Sequence, residues 1–189
     1  GLGTLIQGVA AIVIGRLGSS ADFTWLSNPP CASHLLPTPF SLKGGQTFSD
    51  WITAFELDEQ ERATHAGVSL PGLLPVLGRR AADYPFAFRS LPAPVSDRIQ
   101  AAQPRWMNFD AKVMSRPLTP VSIDLHNGSR VSLEVFYTSD RWTPDQAGRV
   151  LDRLLSAIAA VMADPEIKLE ELTGALDTDS LPAVTCVPL

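Results

Sequence analysis

The chain has 189 residues, of which 45% are hydrophobic and 19% are charged, proportions that are ordinary for a soluble globular domain. A chain of this size buries roughly 70% of its unfolded surface, so one well-formed core is expected. The formal net charge of -5 argues against nucleic acid as the main partner, because phosphate neutralisation needs clustered Lys and Arg.

The first predicted element is an apolar helix from Leu2 to Leu17. Its apolar residues recur at helical spacing on nearly all sides, so it should be packed on more than one face. Gln7 and Arg16 interrupt it, and it is shorter than the ~18–20 apolar residues that span a bilayer. We therefore predict a core helix and no membrane partner. Since the chain begins inside this run without an initiator Met, we expect it to be cut from a longer polypeptide or processed at its N-terminus.

Two strands are predicted next. Residues 22–27 (DFTWLS) form a strand candidate that the following Asn-Pro-Pro ends, because proline cannot continue a ladder. Residues 35–42 contain Pro37 and Pro39, so this segment is at best an edge strand or an extended connector.

A helix is predicted after Thr47, its N-cap, with Asp50 three residues later in the capping position. We expect Gly67 to end it. Residues 70–77 then form a short helix or turn, and residues 86–91 (FAFRSL) read as a strand. From Pro92 to Pro120 the chain is rich in proline, with a short helix predicted over 95–102 and a strand over 106–113.

A hairpin is predicted where two alternating apolar runs flank Asn127 and Gly128. Asn-Gly between such runs is typical of a type I′ turn, which needs positive φ at both central residues. A helix follows, with Thr143 as N-cap, Pro144 at the first position and Gln146 completing a capping box. The predicted apolar face of that helix consists of Ala147, Val150, Leu151, Leu154, Leu155, Ile158, Val161 and Met162. Residues 167–172 are expected to form a last turn that packs against the rest of the domain.

Histidines are the first candidates for catalysis, at positions 34, 65 and 126. None has a partner at metal-ligand or triad spacing. His65 ends a charged helix, where its side chain favourably meets the helix dipole, and His126 is expected to be a solvent-exposed residue of the hairpin turn. Cys31 with His34 provides too few ligands for zinc. The sequence therefore predicts no catalytic and no metal-binding residue.

The two cysteines, Cys31 and Cys186, lie far apart and match no metal spacing. We interpret them as free thiols of a reducing, cytoplasmic compartment, with a single disulfide as the alternative. Gly44 and Gly45 precede a helix N-terminus, where phosphate can bind, but no Walker or dinucleotide pattern accompanies them, which favours a plain turn.

Four carboxylates form a charge run on the predicted helix after Thr47: Glu56, Asp58, Glu59 and Glu61. Such runs are usually solvated faces rather than acid–base pairs. We therefore expect this run to lie in solvent.

The segment 121–172 resembles the end of the C-terminal lobe of a condensation domain from nonribosomal peptide synthetases, which belong to the chloramphenicol-acetyltransferase-like acyltransferases. The resemblance rests on the hairpin, on FYTSD at 136–140, on an aromatic residue before the helix cap, on Ala-Asp-Pro at 163–165 and on a closing LEEL.

Weaker similarities precede it in the family's order. LLPTPFSL (35–42) with GGQTFSDWI (44–52) lies where the family has a GxFVNTxPLR strand and its following helix. HAGVSLPGLL (65–74) is similar to the HQDxPFE segment, and RRAADYPFAF (79–88) to the RDxSRNPLF segment. The resemblance thus extends over essentially the whole chain.

The departures concern the residues that carry chemistry. The HHxxxDG motif of the family belongs to the N-terminal lobe and does not occur in this sequence. Ser41-Leu42-Lys43 stands where the NTxPLR segment ends in arginine. Of the HQDxPFE segment only His65 and a displaced Pro71 remain.

The resemblance implies an α/β fold, a two-layer sandwich in which a mixed sheet is covered by helices, as a chloramphenicol-acetyltransferase-like half domain. It implies a condensation-type lobe over residues 1–174 and a linker over 175–189 that leads to an adenylation domain. The expected function is a structural or docking platform in natural-product (antibiotic) peptide biosynthesis, not catalytic alone. Half of an active peptide-bond-forming domain and a recruitment module for a carrier protein or tailoring enzyme are the alternatives.

The partners implied are an adenylation domain and peptidyl carrier domains. No cofactor is expected in this chain, since phosphopantetheine would reside on the carrier domains.

Overall fold

A single mixed sheet of five strands organises the chain, in the order β2-β1-β3-β4-β5. The computed structural model describes residues 1–17, 21–29, 34–42, 45–92, 118–127 and 131–174. The strands are β1 (Asp22–Ser27), β2 (Leu36–Ser41), β3 (Phe86–Pro92), β4 (Val121–Asn127) and β5 (Val131–Tyr137). The helices are α1 (Leu2–Leu17), α2 (Phe48–Thr64), α3 (Leu70–Val76), a 3-10 turn (Ala81–Asp83), α4 (Pro144–Ala163) and α5 (Leu169–Gly174).

The three central strands run parallel to one another, and the two outer strands run antiparallel to their neighbours. β2 lies at one edge, as its two prolines predict, because each removes a backbone donor. β5 lies at the other edge. This arrangement confirms the predicted α/β class with a mixed sheet.

The predicted hairpin forms, but its register differs from the expectation. Asn127 pairs with Val131, so Asn127 belongs to β4 rather than to a two-residue Asn-Gly turn. Three residues therefore connect the strands, and they lie outside the described residues. The alternation of apolar residues predicted the position of the hairpin correctly. It did not determine how many residues connect the two strands.

Helix α1 lies at the centre of the main core. Residues 6 to 15 are all buried, and the helix packs against α2, α4, α5 and β3. The prediction of a helix packed on more than one face is confirmed. None of the described helices combines the length and the apolarity that a membrane crossing requires.

The sheet carries different side chains on its two faces. One face is aromatic and aliphatic and faces α1 and α4, with Phe23, Trp25, Phe88 and Ile123 no more than 1% exposed. A smaller cluster on the other face joins Leu26 to Tyr84 and Leu70, next to the short helix α3.

Helix α4 begins as predicted. Thr143 and Gln146 form the capping box, with Gln146 N donating to Thr143 Oγ1 over 3.3 Å and Thr143 N donating to Gln146 Oε1 over 2.8 Å. Its apolar face is narrower than predicted, since Leu155 and Met162 are 50% and 73% exposed while Ala157 is buried.

Helix α2 also begins at its predicted cap, but it ends at Thr64, with His65 as C-cap, earlier than the predicted stop at Gly67. The elements predicted over 95–102 and 106–113 lie outside the described residues. So do Cys31, Cys186 and the predicted linker at 175–189.

Candidate functional site

The carboxyl ends of β1, β3 and β4 meet at one edge of the sheet, because these strands are parallel. In open α/β sheets this edge is where ligands bind. Asn28 directly follows β1 here and completes the β1–β3 pairing with its side chain. Its Nδ2 donates to Ser90 O over 2.8 Å and its Oδ1 accepts from Ser90 N over 2.7 Å.

A polar cluster lies beside this end of β1, on the helix-covered face. It comprises Gln7 of α1, Ser27 of β1, Thr38 of β2, and Glu59 and Arg62 of α2. Gln7 Nε2 donates to Ser27 Oγ over 3.0 Å, and Ser27 Oγ lies 2.5 Å from Thr38 Oγ1. Four elements thus meet through one serine.

The two ions of the polar cluster neutralise each other. Arg62 Nη1 donates to Glu59 Oε1, and both Arg62 Nη1 and Nη2 lie 3.4 Å from Ser27 Oγ. Glu59 is 1% exposed, whereas the Arg62 side chain is 17% exposed. Burial raises the pKa of Glu59 and lowers the pKa of Arg62, and in both cases the opposite partner acts against burial.

This finding corrects the expectation that the run from Glu56 to Glu61 is a solvated face. The prediction is wrong for Glu59, while Asp58 and Glu61 are exposed. The signal was present in the helical spacing. Phe48, Trp51 and Phe55 form the buried stripe of α2, and Glu59 and Arg62 continue the same stripe at steps of four and three residues.

The contacts of the polar cluster join four elements of the fold. Its hydroxyls contact an amide, another hydroxyl and a guanidinium, and its carboxylate is paired with the arginine. This arrangement contains no hydroxyl activated by a basic partner, which nucleophilic catalysis needs.

Replacing Glu59 with Gln is expected to change how stability depends on pH. Burial raises the folded-state pKa of Glu59 above its ordinary value of 4.5. The Glu59 carboxyl therefore contributes to the unfolding free energy below pH 4.5, and this contribution is lost as the pH rises through the folded-state pKa. The wild-type chain should therefore lose more unfolding free energy than Glu59→Gln between about pH 4.5 and pH 7. Urea unfolding followed by circular dichroism at several pH values measures this, and parallel curves for the two chains would contradict it.

A charged row crosses the opposite face of the sheet, through β3, β4 and β5. It comprises Arg89, Asp124, Glu134 and His126. Arg89 Nε and Nη2 donate to the two carboxylate oxygens of Asp124 over 2.7 and 2.5 Å. His126 Nε2 lies 3.2 Å from Glu134 Oε2. Asp124 is buried and is directly opposite Glu134 in the strand register.

The structure places the three histidines apart. His34 precedes β2, His65 is the exposed C-cap of α2, and His126 lies near the end of β4. His126 belongs to the strand, and its side chain is only 14% exposed, so the expected exposed turn residue is instead a member of the charged row. The described ranges contain no group of three His, Cys, Asp or Glu side chains that could hold a metal ion.

Gly45 precedes α2 with φ of +79°, a conformation that suits glycine in a turn. This geometry agrees with the plain turn expected there. Gly44 lies outside the described residues.

Comparison with known proteins gives one sequence relative and several solved structures. No protein-family model matches the chain. A linear gramicidin synthase polypeptide of Brevibacillus parabrevis is 20% identical over 188 residues, which cover 91% of this chain and 2% of that protein. The chain therefore spans a very small part of the curated relative that it matches.

The solved structures share the fold. The condensation domain of the Monacolin K polyketide synthase MokA superposes with a TM-score of 0.71 at 16% identity, covering 88% of this chain and 42% of that chain. The X-domain from teicoplanin biosynthesis superposes with a TM-score of 0.73 at 15% identity, covering 93% of this chain and 43% of that chain. A chain of the complex of the X-domain and OxyB from teicoplanin biosynthesis superposes with a TM-score of 0.74 at 15% identity. The match covers 94% of this chain and 42% of that chain. The chain thus has the fold of somewhat less than half of a condensation domain.

Proposed function

We propose that the chain is a condensation-type lobe of a nonribosomal peptide synthetase that does not catalyse alone and serves as a docking platform for neighbouring domains. The observation that carries the proposal is that a unit with a hydrophobic core of its own covers 42–43% of the MokA condensation domain and of the teicoplanin X-domain. The lobe would extend over residues 1–174, with 175–189 leading to an adenylation domain.

The polar groups at the strand ends support the non-catalytic part of the proposal. Glu59 is paired with Arg62, and Asn28 is paired with the backbone of Ser90. These groups hold α2 and β3 against β1. Catalysis of peptide-bond formation would require a base poised beside a reacting amine, whereas the carboxylate of the polar cluster, Glu59, is 1% exposed and accepts from Arg62 through Oε1.

The partners in this proposal are an adenylation domain and peptidyl carrier domains in the cytoplasm. Phosphopantetheine on the carrier would present the substrate, so this chain itself would hold no cofactor. The sheet face that bears the charged row also carries the smaller apolar cluster around Leu26. Several of the exposed large apolar residues lie on helices, such as Leu57, Val76 and Met162.

The partial coverage also favours a second function, half of an active condensation domain that forms peptide bonds between carrier-bound substrates. A third candidate is the recruitment of a carrier protein or tailoring enzyme. This chain shares the fold of the X-domain from teicoplanin biosynthesis. That X-domain forms a complex with OxyB, which supports the recruitment candidate.

The test uses the 189-residue chain with the adenylation and carrier domains that the proposal places in the same polypeptide. We expect calorimetric titration to show binding to the adenylation domain, and we expect loaded carriers to yield no dipeptide with the chain alone. Dipeptide formed after addition of the separately expressed upstream lobe would establish the active-half function instead. Absence of binding to both domains would refute the platform and recruitment functions together.

A further inference from the structure

The two edges of the sheet differ in their capacity to accept another strand. β2 carries Pro37 and Pro39, which lack backbone N–H groups and so blunt that edge. β5 contains no proline, runs for seven residues and alternates apolar with polar side chains from Val131 to Val135. An edge of this kind is a template for strand pairing.

The register shows which backbone groups of β5 point outward. Thr138 N donates to Pro120 O over 2.9 Å, so these two residues form a hydrogen-bonded pair of the antiparallel ladder. Such pairs alternate with pairs that do not exchange hydrogen bonds. The even-numbered residues of β5 therefore bond to β4. The N–H and C=O groups that point away from β4 belong to Val131, Leu133, Val135 and Tyr137.

No strand pairs with this outer edge within the part of the chain that the structure describes. The side chains of the same four residues lie on the helix-covered face. Val131 is 49% exposed, and Leu133, Val135 and Tyr137 are only partly buried against the main core. An added strand with apolar side chains on this face would bury more of that surface.

The opposite face supplies a charge preference. Asp124 is neutralised by Arg89, whereas Glu134 is half exposed and its contact is with a histidine, His126 Nε2, 3.2 Å from its Oε2. A cation directly across from Glu134 on an added strand would attract this carboxylate, since opposite charges facing each other in a sheet are stabilising. A second copy of β5 centred on Glu134 would instead oppose two carboxylates, which disfavours self-pairing in that register.

We propose that the outer edge of β5 binds an extended segment of a partner by strand addition, with apolar residues at alternate positions and a Lys or Arg facing Glu134. Backbone hydrogen bonds supply affinity in this mode, and the alternate side chains supply specificity. The inference does not depend on the proposed platform function, because the edge would accept a strand in a catalytic or a non-catalytic lobe.

The probe is a nine-residue synthetic peptide in which Thr and Val alternate and the central Thr is replaced by Lys. We expect it to slow amide hydrogen exchange at the four outward residues of β5 in the 189-residue chain. Val135→Pro removes an outward N–H without removing a bond to β4, so it should weaken peptide binding at least about tenfold. Val135→Thr, the matched control, keeps the N–H and should bind like wild type.

Charge is tested separately. Exchanging the peptide Lys for Glu should weaken binding, and the Glu134→Lys chain should reverse that preference. If circular dichroism shows that Val135→Pro does not fold, Val131→Pro replaces it, because Val131 also points its N–H outward and is half exposed.

Three results would overturn the proposal. Outward amides that are already protected in the free chain at every concentration would mean that the edge is covered. Protection that grows with chain concentration would assign the edge to a second copy. Equal peptide affinity of Val135→Pro and Val135→Thr would show that the peptide binds elsewhere.

Discussion

Replacing Arg62 with Met is expected to destabilise the chain by about 3–5 kcal/mol, the usual cost of leaving one ion of a buried pair without its partner. Glu59 is 1% exposed, and its Oε1 accepts from the Arg62 guanidinium. Met approximates the aliphatic part of the arginine side chain, so the loss reports the charge rather than a cavity. Urea unfolding at about pH 7 measures it as a lower midpoint with an unchanged slope.

The double variant Glu59→Leu with Arg62→Met separates a buried charge from lost packing. Apolar residues of similar volume often replace a buried ion pair at little or no cost. We therefore expect the double variant to recover most of the stability that Arg62→Met loses. A double variant no more stable than the single one would show that packing around α2, rather than the unpaired carboxylate, accounts for the loss.

Replacing Gly15 with Ala is expected to destabilise the chain by about 1–3 kcal/mol, the usual cost of overpacking a core. A Cβ at Gly15 would lie 2.7 Å from Phe23 Cε1 and 2.8 Å from Leu42 Cδ1. Phe23 is fully buried and stacks on Phe40, with ring centroids 5.4 Å apart, so its ring can shift only if neighbouring side chains shift with it. The glycine therefore sets the approach of α1 to β1, and thermal unfolding should show a lower Tm.

Gly148→Ala is the matched control, since the same substitution falls in another helix. A Cβ at Gly148 meets no atom within 4 Å. Ala favours a helix interior over Gly by roughly 0.8–1.0 kcal/mol, so this variant should be more stable than wild type. If both variants shift stability in the same direction, the close approach at Gly15 is not the controlling factor.

Local signals in the sequence predicted most of the elements correctly. Thr143 and Gln146 marked the start of α4, and Pro37 and Pro39 marked β2 as an edge strand, because capping and proline effects act over a few residues. The exposure of Leu155 and Met162 could not be read in the same way. Their spacing fits an apolar face, but the width of the face that is covered depends on how α4 lies on α1 and β5.

The burial of the polar cluster also depends on contacts between elements that are distant in the sequence. Glu59 and Arg62 are three residues apart in a charged run, which is typical of a solvent-exposed pair. Their burial follows from Gln7, Ser27 and Thr38, which lie far away in the sequence. Glu59 and Arg62 follow Phe55 at helical spacing, which indicates the buried face of α2. Charged residues in a run are more often exposed to solvent, which is why the sequence favoured an exposed face.

The central position of α1 has a consequence for the order of events during synthesis. Helix α1 leaves the ribosome before α4 and α5, against which it packs and which are made last among the described elements. Until those helices emerge, the apolar sides of α1 have only part of their covering. A nascent chain that stops before residue 144 would therefore expose this helix, which makes it a substrate for chaperones that bind apolar segments.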